Sequence, residues 1–288
     1  MAAIRSHKMI SVVIPSYNKG GLILHTVASV LASDYEGALE IIVVDDYSTD
    51  PLTKKAYLGL KKQANLTIVE SGGKGPGNAR NKGLSRAKGE YLLFLDNDDL
   101  ISPNFIREAL ATLDAEPAAA YAYPDIVVFG CTPGWRPTPE FSLERLRVFN
   151  YIPVTCLYRI EALRAVGGMQ TDLPAMEDWD LFLSLADKGF TGAKIPTEKK
   201  AWLFYRQADQ AGVNASATSP AKRARLRTTI LKRHHLATAT SWIWNLAAIV
   251  FGALTPFMRS REHTAFLGLP AETQKAMLAL IDTDAQSL

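Results

Sequence analysis

Residues 91–99 read Tyr-Leu-Leu-Phe-Leu-Asp-Asn-Asp-Asp, so five apolar residues lead directly into three carboxylates within four positions. The apolar part predicts a buried strand, and the acidic part therefore lies where that strand emerges at the edge of a sheet. Carboxylates this close repel one another unless a cation joins them. Oxygen ligands in this spacing suit magnesium or manganese, which keep coordination positions for water and for substrate phosphates.

The acidic stretch has two other interpretations. A lone Asp-x-Asp more often belongs to an ordinary turn, because Asp hydrogen-bonds readily to the local backbone. An EF-hand calcium loop needs Gly at its sixth position and Glu at its twelfth, where this chain has Ile101 and Arg107. The calcium loop is excluded, and the metal interpretation depends on which other polar residues come together here.

The composition is that of a globular protein. The chain has 288 residues, 48% hydrophobic and 21% charged, with a net charge of +3, which argues against disorder and against a general nucleic-acid surface. Cys131 and Cys156 form no Cys-x-x-Cys pair, so we expect packed thiols in a reducing compartment. Residues 1–8 are basic without an apolar run, so no cleaved secretion signal is expected.

Strand and helix patterns alternate through the first half of the chain. β-branched residues from Ile10 to Ile14 predict a first buried strand, and apolar residues at helical spacing predict a helix over 22–31. The same patterns predict further strands at 41–44, 66–69, 91–95, 120–128 and 154–158, and helices at 54–63, 78–87, 160–165 and 181–186. This alternation predicts an α/β fold with a mostly parallel sheet covered by helices on both faces.

Polar clusters follow the first, second and fourth predicted strands, which is where open α/β sheets bind ligands. Asp45 and Asp46, taken alone, are more typical of a turn or a helix cap. The Gly-rich loop 72–77 leads to Arg80, which can form a forked pair of hydrogen bonds with an anion. No P-loop or dinucleotide fingerprint is present.

Acidic residues recur at 177, 178 and 180, before an apolar helical run. Such residues commonly serve the helix dipole, and the competing interpretation makes one of them a general base. Trp179, between them, is expected in the core, with a sugar-stacking role as the alternative.

Five short motifs occur in order, at residues 12–18, 44–50, 77–83, 94–99 and 177–180. They read Val-Val-Ile-Pro-Ser-Tyr-Asn, Val-Asp-Asp-Tyr-Ser-Thr-Asp, Gly-Asn-Ala-Arg-Asn-Lys-Gly, Phe-Leu-Asp-Asn-Asp-Asp and Glu-Asp-Trp-Asp. Together they resemble the family 2 inverting glycosyltransferases, over about residues 9–206. The resemblance implies a Rossmann-like GT-A fold, a nucleotide-sugar donor with UDP as the default, and Mn²⁺ or Mg²⁺ as cofactor.

The resemblance also implies roles for individual residues. Pro15 and Tyr17 would flank the nucleotide base, and Asp46 would accept a hydrogen bond from its ring N–H. The full set implied for nucleotide-sugar binding is Pro15, Tyr17, Asn18, Asp46, Arg80, Asp96 and Asn97. Asp98, with Asp96, would hold the metal, and Asp99 would assist. Asp178 would act as the catalytic base, with Glu177 placing the acceptor.

Two departures from the family pattern refine the function. The late-domain Arg-x-His element has no His in residues 205–209, and Asp209 is the candidate substitute. The Gln-x-x-Arg-Trp element of processive synthases is missing, which favours transfer of a single sugar to a saccharide or lipid-linked acceptor in cell-surface polysaccharide or glycolipid assembly. Two alternatives stay open: a non-catalytic module that binds a glycan or a partner, and a sugar-nucleotide nucleotidyltransferase.

We expect a GT-A domain over residues 1–215 and a helical C-terminal extension over 216–288. Lys and Arg residues cluster in 222–233, and the apolar segment 242–254 that follows is short for a bilayer span. It would pack on the catalytic domain or on another subunit of a homo-oligomer, or lie in a membrane interface. We expect a cytoplasmic protein, with peripheral attachment to the inner face of the cell membrane under the last interpretation.

Overall fold

The computed structural model describes residues 8–130, 133–207 and 220–236. Contacts divide the chain into two compact units, Met1–Pro124 with Thr138–Leu203, and Asp125–Pro137 with Phe204–Leu288. Every predicted site residue from Pro15 to Asp178 belongs to the first unit. Four features of the sequence lie outside the described residues: Cys131, Asp209, the predicted domain boundary at residue 215, and the segment 242–254. The division into a catalytic domain and an extension therefore stays a proposal.

The described strands alternate with helices along the chain. The strands are β1 (Ile10–Ser16), β2 (Leu39–Asp45), β3 (Leu66–Glu70), β4 (Tyr91–Phe94), β5 (Leu100–Ile101), β6 (Ala119–Tyr123), β7 (Asp125–Gly130), β8 (Gly134–Arg136), β9 (Leu157–Arg159), β10 (Thr191–Lys194) and β11 (Trp202–Gln207). The helices are α1 (Leu22–Leu31), α2 (Pro51–Leu60), α3 (Pro76–Arg86), α4 (Phe105–Ala115), α5 (Leu143–Val148), α6 (Ile160–Ala165), α7 (Glu177–Asp187) and α8 (Pro220–Arg233), with a 3₁₀ turn at Thr197–Lys199.

The first unit is built around a seven-stranded sheet with the order β10-β6-β9-β4-β1-β2-β3. Neighbouring strands are parallel except that β9 runs antiparallel to both β4 and β6. Ile10 and Val12 point to one face of β1 and Val13 to the other, and all three are fully buried, so both faces of the sheet centre are covered. The predicted α/β fold with a mostly parallel sheet is confirmed.

Local chemistry explains where the helices begin. Asp50 caps α2, because its carboxylate accepts the N–H groups of Leu52 at 3.4 Å and Thr53 at 2.8 Å, and Pro51 suits the first helical position. Gly75 precedes α3 with a φ of 101°, a conformation that disfavours any side chain. The Gly-rich loop therefore turns sharply into α3, which packs on β1 and β2.

Two predicted strands differ from the structure. The strand predicted at 154–158 is limited to its end, as β9 (Leu157–Arg159). The other is the strand predicted at 120–128. Residues 120–128 form two strands, β6 and β7, which are separated at Pro124. Proline has no N–H for a sheet ladder, so the first strand ends there despite the continuous apolar pattern. The apolar pattern could not reveal the break, because both strands are buried along most of their length.

The second unit contains β7 and β8, which pair antiparallel, the end of β11, and α8. One face of α8 is mostly basic. Helical spacing places Lys222, Arg225, Thr229 and Lys232 on this face, and all except Thr229 are basic. Ile230 is buried on the opposite side. Among the described residues, no helix has the length and apolar character needed to cross a bilayer.

Candidate active site

The carboxyl ends of β1, β2 and β4 meet at one edge of the sheet, because these three strands are adjacent and parallel. Ser16, the last residue of β1, is paired with Asp45, the last residue of β2. Asn97 Nδ2 donates to Ser16 Oγ at 3.0 Å, and the same oxygen lies 2.9 Å from Tyr57 OH, which donates to Asp45 Oδ1 at 3.1 Å. The polar clusters at the three strand ends are therefore in direct contact.

Asp46 fixes the Gly-rich loop. Its Oδ1 accepts the hydroxyl of Ser71 at 3.0 Å, and its Oδ2 accepts the main-chain N–H of Gly75 at 2.8 Å. A carboxylate oxygen accepts more than one hydrogen bond, so these contacts leave capacity for the ring N–H of a base. The predicted nucleotide contact of Asp46 stays a prediction, and the structure adds a role in holding the loop before α3.

The loop after β1 presents Tyr17 to solvent, with 55% of its surface exposed. Asn18 has a φ of 46°, and its Oδ1 accepts the N–H groups of Thr49 at 2.8 Å and Asp50 at 2.9 Å. Asn18 therefore joins the loops after β1 and β2, and an exposed aromatic ring stands beside it. Such a ring suits stacking on a nucleotide base, and the binding roles predicted for Pro15, Tyr17 and Asn18 stay predictions.

Arg80, on α3, is almost completely buried, with 4% of its surface exposed. Its Nη2 donates to Asp96 Oδ1 at 2.6 Å, and its Nη1 donates to Glu177 Oε1 at 2.8 Å. Burial lowers the pKa of the guanidinium, but the two carboxylates outweigh that effect and raise its pKa above the ordinary value. Arg80 therefore bridges the acidic stretch after β4 and the acidic start of α7, and its predicted contact with the nucleotide stays a prediction.

Asp178 is the second residue of α7 and is half-buried. Its Oδ2 accepts Asn150 Nδ2 at 2.9 Å, and its Oδ1 accepts the main-chain N–H of Trp179 at 2.8 Å. Burial, and then the neighbouring charge of Glu177, raise the pKa of Asp178 from 3.8 to about 6. A carboxylate with this pKa is mostly ionised at neutral pH and is still basic enough to take a proton from a hydroxyl.

Trp179 anchors the start of α7. It is fully buried, and its Nε1 donates to the main-chain oxygen of Leu146 at 2.7 Å, so its predicted place in the core is confirmed. Met176, just before the helix, has a φ of 65°, so the chain enters α7 through a left-handed residue. These two features fix the start of α7, and they therefore position the side chains of Glu177 and Asp178.

Asp96 and Asp98, the predicted metal ligands, are each paired with a cationic side chain. Arg80 holds Asp96, and Lys19 Nζ lies 2.7 Å from Asp98 Oδ2. Within the described part of the chain, no three His, Cys, Asp or Glu residues form a metal-binding group. Two carboxylates are nevertheless a fitting donor set for Mg²⁺ or Mn²⁺, because these ions take oxygen ligands and complete their shell with water and substrate phosphates.

Two polar contacts of the site had no signal in the sequence. Asn150 follows α5 in a region without a motif, and nothing in the pattern indicated that it contacts Asp178. Lys19 directly follows the motif at residues 12–18, but its position in the sequence gives no reason to expect an ion pair with Asp98. Both contacts join segments that are distant in sequence.

The fold of this chain is shared by two glycosyltransferases of known structure. TarS of Staphylococcus aureus in complex with UDP-GlcNAc superposes with a TM-score of 0.65 at 21% identity, over 94% of this chain and 79% of that one. The mannosyltransferase PcManGT of Pyrobaculum calidifontis, in complex with GDP-Man and Mn²⁺, gives 0.61 at 19% identity, over 98% and 81%. These likenesses establish the GT-A fold, as the sequence predicted.

The sequence profile of glycosyl transferase family 2 matches residues 11–167, which is more than half of the chain. The chain belongs to glycosyl transferase family 2, and the predicted family is confirmed. An uncharacterized glycosyltransferase of Haemophilus influenzae is 27% identical over 224 residues, 74% of each protein. TarS, a poly(ribitol-phosphate) beta-N-acetylglucosaminyltransferase, is 36% identical over 107 residues, which are 36% of this chain and 18% of TarS.

Proposed function

We propose that the protein is an inverting transferase that moves one sugar from a nucleotide-sugar, with UDP as the expected nucleotide, to a saccharide or lipid-linked acceptor. Its place would be in the assembly of cell-surface polysaccharide or glycolipid. The observation that carries the proposal is the carboxylate of Asp178, which has a pKa of about 6 and lies beside the bridge from Glu177 through Arg80 to Asp96. Membership of glycosyl transferase family 2 supports it.

Asp178 would remove the proton from the acceptor hydroxyl as that oxygen attacks the anomeric carbon. The hydrogen bonds from Asn150 and from the Trp179 N–H hold the carboxylate in one orientation, so little reorganisation is needed when the acceptor arrives. Attack from the face opposite the leaving group inverts the configuration in a single displacement. Glu177, held by Arg80, would place the acceptor.

Asp98 and Asp96 would hold the divalent ion, which when bound supplies positive charge to the departing nucleoside diphosphate. Arg80 keeps Asp96 in position through the 2.6 Å ion pair, and the main chain of Asp99 closes the turn with an N–H to Asp96 oxygen bond of 3.1 Å. PcManGT, a structure of the same fold, is in complex with Mn²⁺, which supports this assignment.

The donor side is expected at the ends of β1 and β2. Tyr17 would stack on the base, and Asp46 would accept a hydrogen bond from its ring N–H. The N-terminal turn of α3 would stabilise the negative charge of the donor. The complex of TarS with UDP-GlcNAc supports a UDP donor, and the complex of PcManGT with GDP-Man makes GDP the alternative.

A panel of nucleoside diphosphates tests the donor class. UDP with Mn²⁺ is expected to raise the melting temperature of the full chain by several degrees, because a ligand at about 100 times its Kd stabilises the folded state by about 2.7 kcal/mol. GDP and dTDP are expected to give smaller shifts. The metal-dependent part of the UDP shift should vanish in Asp98→Asn. If none of the nucleotides shifts the melting temperature with or without Mn²⁺, the proposed donor class is wrong.

The basic face of α8, formed by Lys222, Arg225 and Lys232, would hold the protein on anionic lipid near a lipid-linked acceptor. Reversing all three charges to Glu is expected to weaken binding to phosphatidylglycerol vesicles by more than about 100-fold, because each basic residue contributes about 1 kcal/mol at such a surface and each Glu adds repulsion. Co-sedimentation measures this. The matched control reverses three exposed lysines in and after α2: Lys55, Lys61 and Lys62. Equal loss in both variants would show that net charge alone governs binding.

A further inference from the structure

Lys19 forms an ion pair with the residue proposed as the direct metal ligand. Its Nζ lies 2.7 Å from Asp98 Oδ2, and the two side chains are 30% and 20% exposed. The pair is therefore partly shielded from water and stronger than an ordinary surface ion pair. The ammonium of Lys19 therefore contacts a carboxylate oxygen of Asp98 to which a divalent ion would bind.

The backbone around Lys19 is held on both sides. Asn18 donates its main-chain N–H to Ser48 Oγ at 3.2 Å, and Gly20 donates its own to Thr53 Oγ1 at 2.8 Å. Both residues have positive φ, 46° and 59°, so the turn has a defined shape. The loop is thus fixed to the segment after β2, and the side chain of Lys19 is the part that can move.

The two carboxylates differ in how their cations are held. Arg80 is buried and forms ion pairs with both Asp96 and Glu177. If Arg80 moved away from Asp96, the carboxylate of Glu177 would lose its ion pair as well. Lys19 has a flexible stem and forms an ion pair with Asp98. A divalent ion held by the carboxylate of Asp98 would repel the ammonium of Lys19 at close range.

We propose that Lys19 is a positioning residue that closes the metal site until the donor arrives: its ammonium occupies Asp98, and a divalent ion binds there only when that ammonium leaves. The inference rests on the proposed metal role of Asp98. The inference implies that the protein alone binds the metal weakly. Metal binding is stronger when a nucleoside diphosphate is present, because its negative charge then pairs with the side chain of Lys19. Metal and donor then bind together, with Lys19 as the reason for their coupling.

The test measures binding of Mn²⁺ to the full chain without nucleotide, by the loss of the free-ion signal in electron paramagnetic resonance. Lys19→Met removes the ammonium and keeps the stem, and it is expected to tighten Mn²⁺ binding about tenfold. Lys19→Arg keeps the charge and should bind Mn²⁺ as weakly as the wild type. The matched control is Lys54→Met, because Lys54 also pairs with an aspartate, Asp45, at 2.8 Å.

The direction of the change separates this role from a structural one, since damage to the loop would weaken metal binding. Equal or weaker Mn²⁺ binding in Lys19→Met, with wild-type melting temperature and with binding lost in Asp98→Asn, would overturn the inference alone. A tenfold gain in Lys54→Met as well would also overturn it, because general charge would then be the cause. Failure of Asp98→Asn to affect Mn²⁺ binding would instead reject the metal site in the proposed function, and the inference with it.

Discussion

Replacing Asp178 by Asn is expected to lower the turnover number about 10²- to 10⁴-fold, the range that a positioned general base contributes. The Asn keeps the size of the side chain and can still accept the hydrogen bond from Asn150, but it cannot take a proton. Donor affinity should stay near the wild-type value, because Asp178 is proposed to act on the acceptor. Single-turnover kinetics and nucleotide binding, measured on the same preparation, separate the two effects.

Asp187→Asn is the matched control, since it makes the same change at the exposed end of the same helix. It should retain near wild-type turnover. Turnover within a factor of two of wild type in Asp178→Asn would remove Asp178 from the mechanism, whatever the effect on binding.

The pH dependence of the reaction follows from the same residue. The pKa of Asp178 is raised to about 6, so the ionised base is lost below that pH. We expect kcat/KM of the wild type to fall about tenfold per pH unit on the acidic side of pH 6, since only the ionised carboxylate can accept the proton. The residual activity of Asp178→Asn should lack this step. An acidic step near pH 4 in the wild type would show an ordinary carboxyl and contradict the assignment.

Folding stability gives an independent check on this pKa. Because the folded pKa lies above the ordinary 3.8, Asp178 favours the folded state below about pH 4, and that contribution is lost as the pH rises through about 6. Asp178→Asn is therefore expected to be more stable than the wild type at pH 8, by about 1 kcal/mol after allowance for solvent screening and for the hydrogen bond from the Trp179 N–H. Urea unfolding at pH 4 and pH 8 measures the difference.

The largest effect on folding is expected for Arg80→Met. The change leaves the carboxylates of Asp96 and Glu177 without their shared cation, and breaking a buried ion pair by removing one partner costs about 3–5 kcal/mol. The free energy of unfolding should fall by that amount in urea titrations at pH 7. Turnover should fall as well, since both carboxylates lose their orientation.

A second substitution tests whether the bridge is the cause. Adding Glu177→Gln to Arg80→Met should recover part of the stability, because one unpaired charge is then removed. Arg107→Met is the control: Arg107 also contacts two acids, Asp34 and Glu108, but its side chain is 46% exposed. It should change the free energy of unfolding by less than about 1 kcal/mol. A similar small loss for Arg80→Met would show that water screens the bridge.

Most of the first unit could be predicted because its signals are local. The helix over Leu22–Leu31 and the strand beginning at Ile10 follow from the spacing of apolar residues alone. The break at Pro124 was missed, because an apolar pattern continues across it while the sheet ladder does not. The apolar pattern of a sequence shows which residues are buried, but it is less informative about where the hydrogen bonds of a strand end.

By itself, the sequence determined the alternation of strands and helices, the family, and the placing of Asp46 and Asp98 at strand ends, since parallel strands bring their carboxyl ends to one edge. Only the tertiary structure decided which charges meet. Arg80 and Glu177 are 97 positions apart, and Lys19 and Asp98 are 79 apart. Such contacts depend on the packing of α3 and α7 and on the shapes of loops, which act through space and leave no periodicity in the chain.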